Sequence, residues 1–180
     1  MKPFVKLTTT NKIMDISFEE SIRYHGVNRS IEFFKIPSDI ENTLLEIIPV
    51  NYRQYFNGSF FSINTSYIRP HTDSDRKVGI NFYVKGNNAI TKFFNIKENA
   101  TVLHEQVVGQ TNGVVYQEYN LVSTGVFKAS PGEIWILDVS KIHSVINAAG
   151  EDRVAYTLSS NVLSYDDTLE ILKDLVCNPV

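Results

Sequence analysis

Residues 78–84 read Val-Gly-Ile-Asn-Phe-Tyr-Val and residues 153–159 read Arg-Val-Ala-Tyr-Thr-Leu-Ser. In both, residue type changes at every step. That period of two belongs to an extended strand, whose side chains point to alternate faces; a helix would scatter Val78, Ile80, Phe82 and Val84 around its circumference. As a strand, the first segment puts those four on one face and Gly79, Asn81 and Tyr83 on the other. The second separates Val154, Tyr156 and Leu158 from Arg153, Ala155, Thr157 and Ser159. A polar stripe on an antiparallel sheet faces water by default. In a sandwich or closed barrel it lines a ligand cavity instead, and that is the expectation for Gly79, Asn81 and Tyr83.

Around these two segments lie further short runs rich in β-branched and aromatic residues: 4–7, 31–36, 61–68, 89–96, 125–128 and 134–137, with a hairpin of 102–108 and 114–122 joined near Asn112-Gly113. Turn residues separate them, notably Asn57-Gly58, Ser74-Asp75-Arg76-Lys77, Gly86-Asn87-Asn88, Ser130-Pro131-Gly132-Glu133 and Gly150-Glu151-Asp152. Two segments read as helices. One begins at Ser38 or Asp39, gathers Ile40, Leu44, Leu45, Ile47 and Ile48 on one face and stops at Pro49; the other is capped by Ser164, carries Asp166 and Asp167 in its first turn and runs to about residue 176. At least eight short strands and two helices predict an all-β sandwich or jelly roll with helical support. A chain of 180 residues, 43% hydrophobic, suffices for a single domain over 1–180.

Within this frame, Tyr67-Ile68-Arg69-Pro70-His71-Thr72-Asp73 offers an imidazole and a carboxylate one residue apart, a spacing that suits two ligands of one metal ion. Alone the pair carries little weight in a chain with four histidines and 20 acids. His143 is available as a third ligand. Two histidines and one carboxylate leave three positions open on an octahedral ion, the set associated with non-haem Fe(II) oxygenases. Ten positions after His143 stands Arg153, a cation suited to a dicarboxylate cosubstrate.

With His71, Asp73, His143 and Arg153 in this order, the chain resembles the Fe(II)/2-oxoglutarate-dependent dioxygenases, whose pattern is His-x-Asp, a distal His and a basic residue about ten positions beyond it. Pro70-His71-Thr72-Asp73 and the text from Gly132 to Asn147 are similar to the prolyl/aspartyl hydroxylase branch and to short bacterial or phage oxygenases. The resemblance implies a double-stranded β-helix, or jelly roll, with its core over about residues 58–160. It implies Fe(II) on His71, Asp73 and His143, the far carboxylate of 2-oxoglutarate on Arg153, hydrogen bonds to that cosubstrate from Tyr83 and Thr157, and O2 at the remaining position. Thr157 stands in for a serine that some of these oxygenases carry two residues after the arginine, where this chain has Ala155. The implied reaction hydroxylates a C–H bond and releases succinate and CO2. Asp73 favours that outcome, because related halogenases put a small residue in its place.

The implied substrate is an amino acid or other small metabolite, or a peptide or protein side chain. Seventeen basic and 20 acidic residues give a net charge of -3, so no overall field draws nucleic acid or an anionic membrane. The lone Cys177 allows no internal disulfide, Met1-Lys2-Pro3-Phe4-Val5 lacks the apolar core of a signal peptide, and no apolar run approaches the ~20 residues that cross a bilayer. The expectation is a soluble cytoplasmic protein. Tyr24, His25 and Arg29 read as surface, with a substrate loop as their other use, and His104 as surface or structural. Two other functions compete: a non-catalytic jelly-roll binding or sensor module, and a cupin-type metal enzyme, whose His-x-His and separate Glu this chain lacks.

Overall fold

The computed structural model describes residues 2–8, 31–86, 89–100, 105–106, 114–147 and 152–176. Its elements in chain order are β1 (Phe4–Leu7), β2 (Ile31–Lys35), α1 (Ser38–Leu44), β3 (Asn57–Ile63), β4 (Tyr67–Thr72), β5 (Val78–Lys85), β6 (Ile90–Ile96), β7 (Glu105–Gln106), β8 (Val114–Val115), β9 (Leu121–Lys128), β10 (Ile134–Leu137), β11 (Ile142–Ile146), β12 (Arg153–Ser160) and α2 (Tyr165–Ile171). They form two antiparallel sheets. The first has the order β1-β10-β5-β12-β3-β2 and the second β7-β8-β4-β11-β6-β9. From β3 to β6 the chain alternates between the sheets at every strand, and from β9 to β12 it does so again. That double winding of eight strands is a jelly roll. No helix among the described residues is long and apolar enough to cross a membrane.

Strand alternation sorts the side chains into layers. On the first sheet, Val78, Ile80, Phe82, Val154, Tyr156 and Leu158 face outward and pack with Leu44, Ile48 and Leu172 from the helical segments. The opposite faces of the same strands, with Tyr83 and Ala155, meet Ile68, Phe93 and Val145 of the second sheet in a separate core. The polar stripe of β5 therefore looks into the space between the sheets rather than into water. Opposite it across the ladder, Ala155 pairs with Tyr83, Thr157 with Asn81 and Ser159 with Gly79.

Several local expectations are corrected. Asn57-Gly58 is no turn but the start of β3. A Cβ on Gly58 would come within 2.7 Å of Ile36 and 2.8 Å of Glu41, and the Gly58 N–H donates to Glu41 Oε1 at 2.6 Å, so the glycine serves close approach of α1. The expected strand over 61–68 is cut in two, because Asn147 Nδ2 donates to the carbonyls of Ile63 and Thr65 and fixes a bend there. The first helix changes to a 3-10 turn at Leu45–Ile47 and the second ends at Ile171 before another at Lys173–Leu175. Residues 125–128 belong to the longer β9, which begins at Leu121 after a 3-10 turn at Glu118–Asn120. Tyr24, His25, Arg29, His104 and the Asn112-Gly113 turn lie outside the described residues.

Candidate metal centre

His71 and His143 sit on neighbouring strands and face each other in register. The β4–β11 ladder shifts by one residue beyond this pair, so that Val145 meets Ile68. Such a bulge re-aims side chains, and Pro70, which has no N–H to offer the ladder, is suited to it. Asp73 follows β4, and its backbone N–H is tied to the Val139 carbonyl at 3.1 Å, anchoring it against the turn that leads into β11. Ligand atoms of His71, Asp73 and His143 all lie within 4.8 Å of one another. The two imidazole centroids are 4.3 Å apart and His71 Nε2 is 3.6 Å from Asp73 Oδ1.

Each imidazole is oriented from behind. Nδ1 of His71 lies 2.8 Å from the Arg69 carbonyl and Nδ1 of His143 lies 2.9 Å from the Lys141 carbonyl. A carbonyl only accepts, so both Nδ1 atoms carry the hydrogen and Nε2 is the nitrogen left for a metal, an outer-shell arrangement common at metal sites. Burial, and then the adjacent His71, push the His143 pKa down from 6.5 to about 4. It is therefore neutral at physiological pH, as a metal ligand must be. Burial, the largest single effect, raises the Asp73 pKa, but the Arg76 guanidinium and the two neighbouring histidines together outweigh it and hold the carboxyl below its ordinary value. Arg76 Nε donates to Asp73 Oδ2 at 2.7 Å, leaving Oδ1 on the side of His71. The donor set and its supporting bonds fit a divalent ion.

Arg153, at the start of β12, is 2% exposed. Nη1 donates to Thr91 Oγ1 of the second sheet at 2.8 Å, Nη2 donates to the Tyr83 hydroxyl, and the guanidinium carbon lies 4.6 Å from the centre of the Tyr83 ring. None of these partners is an acid. Among the described residues Nε has no partner, and the same holds for the buried hydroxyl of Thr157. A buried cation without a counter-charge is costly, and an anion bound beside Arg153 would offset that cost.

One cavity joins the two features. His71, Asp73 and His143 line it together with Arg153, Thr91 and Asn81, against an apolar wall that includes Phe61, Ile63, Ile68 and Leu137. Tyr83 and Thr157 are not in this wall: Tyr83 holds Arg153 from beside it, and Thr157 is paired with Asn81 on the next strand. Thr91 and Arg76 are the residues that sequence reasoning missed. Arg76 was legible only as part of a polar turn, although its place three residues after Asp73 is a spacing at which an ion pair forms, as it does here. Thr91 carried no signal, because only the packing of the sheets brings it to Arg153.

No protein-family model and no curated protein matches the chain. Among solved structures, the vicilin of Solanum melongena overlaps 76% of this chain and 30% of its own at 14% identity and a TM-score of 0.42. The oxalate decarboxylase of Lactobacillus farciminis overlaps 81% of this chain and 32% of its own at 11% identity and a TM-score of 0.40. The plu4264 protein of Photorhabdus luminescens overlaps 67% and 72% at 18% identity and a TM-score of 0.36. The chain thus spans about a third of the length of the first two. Likenesses this faint carry no weight for the chemistry, and the jelly roll rests on the strand order itself.

Proposed function

We propose that this chain is an Fe(II)- and 2-oxoglutarate-dependent dioxygenase that hydroxylates a C–H bond of an amino acid, a protein side chain or another small metabolite, releasing succinate and CO2. The observation that carries this reading is a buried guanidinium without an acidic partner among the described residues, in the same cavity as two histidines and a carboxylate. His71, Asp73 and His143 would hold the iron, which with its cosubstrate supplies an oxidising power that no side chain has. The protein contributes orientation. Carbonyls fix both imidazoles and Arg76 fixes the carboxylate, so a metal meets a set of ligands already aligned.

Arg153 supports 2-oxoglutarate in particular. Thr91, which holds its guanidinium, is level with Val145, two residues along β11 from His143, an offset of roughly 7 Å along the strand at ordinary spacing. A five-carbon dicarboxylate spans such a gap, with one end at the metal and the other at the guanidinium. The apolar wall keeps water from this pair, which strengthens its attraction. Tyr83 and Thr91 orient the fork.

The test is succinate formation from 2-oxoglutarate by the Fe(II)-loaded protein in air, slow alone and faster with the true substrate. Metal and 2-oxoglutarate binding with no succinate across a broad substrate screen would replace the enzyme by a binding or sensor module. Failure to bind 2-oxoglutarate would overturn the reading.

A further inference from the structure

We infer that Arg76 anchors the substrate, and that the substrate is a small carboxylic acid with an apolar body. The inference rests on the dioxygenase reading and adds to it the class of molecule oxidised. Arg76 lines the cavity and uses Nε on Asp73 Oδ2, while its two terminal NH2 groups bond to no described protein atom. Its guanidinium carbon lies 4.7 Å from the centre of the Phe33 ring. Stacking of this sort keeps the planar fork in a fixed pose, and the two terminal nitrogens of an arginine match the two oxygens of a carboxylate.

Charge balance points the same way. With metal and cosubstrate in place, the divalent ion, Arg76 and Arg153 bring four positive charges to the cavity, and Asp73 and the dicarboxylate bring three negative ones. The imidazoles are neutral when they ligate a metal. Among the described lining residues one positive charge is left over, on a partly exposed Arg76 beside apolar side chains. A substrate with a single carboxylate cancels it. Among the described residues, Phe33, 48% exposed, lines the same cavity with Ile31, Phe61 and Ile63, a surface that suits an aliphatic or aromatic body.

A role for Arg76 confined to holding Asp73 would affect every ligand alike, so the test compares acids with their own amides. The Mn(II) form saturated with 2-oxoglutarate is titrated calorimetrically with aliphatic and aromatic carboxylic acids and free α-amino acids, each against its carboxamide. At least one acid is expected to bind roughly tenfold or more tighter than its amide, the range of a charged hydrogen bond. In Arg76→Gln that preference is expected to fall to within about twofold, and Arg76→Lys, which keeps the charge without the fork, is expected to retain part of it. A tripeptide ending in the preferred residue is expected to bind more weakly than the free acid. Equal affinity for acids and amides, no affinity for any acid, or an acid preference untouched in Arg76→Gln would overturn the anchor, and equal binding of the tripeptide would overturn the assignment to a small molecule. Direct titration of 2-oxoglutarate into the Mn(II) form is a separate measurement. Its failure defeats the dioxygenase reading, and the acid and amide comparison on the Mn(II) form alone still decides the role of Arg76.

Discussion

Arg153 is the residue whose presence is hardest to justify on stability. Its guanidinium is buried between the sheets and its neighbours are two hydroxyls and a ring rather than an acid. Replacing buried charge by an apolar side chain of similar size is often neutral or stabilising, by about 1–4 kcal/mol in documented ion-pair cases. Arg153→Met is therefore expected to melt no lower than the parent without ligand, yet to lose all thermal response to 2-oxoglutarate; a large drop in melting temperature would mean that Arg153 serves the fold. The triad makes a second prediction. His71→Ala, Asp73→Ala and His143→Ala should each bind Mn(II) far more weakly, read by electron paramagnetic resonance, and stoichiometric metal at unchanged affinity in all three would exclude the centre. A third concerns acid. The His143 pKa is depressed to about 4 in the folded protein against 6.5 unfolded, so between these values the unfolded chain binds the extra proton. Metal-free stability should thus fall as pH drops through that window, by up to ~3 kcal/mol from this group, and His143→Gln should flatten the decline in a denaturant series. Order and spacing made His71, Asp73, His143 and Arg153 legible in the sequence, because each is a chemically unusual residue. Thr91 and Arg76 were hidden: one is an ordinary strand threonine and the other an ordinary turn arginine until the sheets close.

At the scale of the element, strict alternation exposed β5 and β12 and the sorting of their two faces. Where it misled, a distant partner had intervened. Asn147 bends the chain between β3 and β4 from more than eighty residues away, and α1 claims Gly58, whose local text reads as a turn. Gly86 shows the reverse, a turn glycine with a task at the site. Its φ of 111° is a backbone conformation that side-chain-bearing residues rarely adopt, and a Cβ there would lie 3.0 Å from Arg153 Cα. Gly86→Ala is expected to cost about 1–3 kcal/mol of stability and to weaken 2-oxoglutarate by displacing the root of Arg153. A variant with wild-type melting and wild-type 2-oxoglutarate affinity would show that the turn relaxes without moving β12.

Taken as a whole molecule, the jelly roll solves a problem of distance. Winding alternately between two sheets sets β4 beside β11, bringing His71 opposite His143, and lays β12 across from β6, bringing Arg153 to Thr91. The outward faces of the first sheet are used up on helices, so the space between the sheets is where polar residues can be held rigidly and away from water. The proposed reaction needs that space to accept one dicarboxylate beside one metal. The most direct test is calorimetric titration of 2-oxoglutarate into the Mn(II) forms of the parent protein and of Arg153→Ala. The parent is expected to bind it at a single site, and Arg153→Ala to bind it more weakly by about 2–5 kcal/mol, the range for breaking a buried charge pair. Equal affinity in the two proteins, or no binding by the parent, would contradict the account.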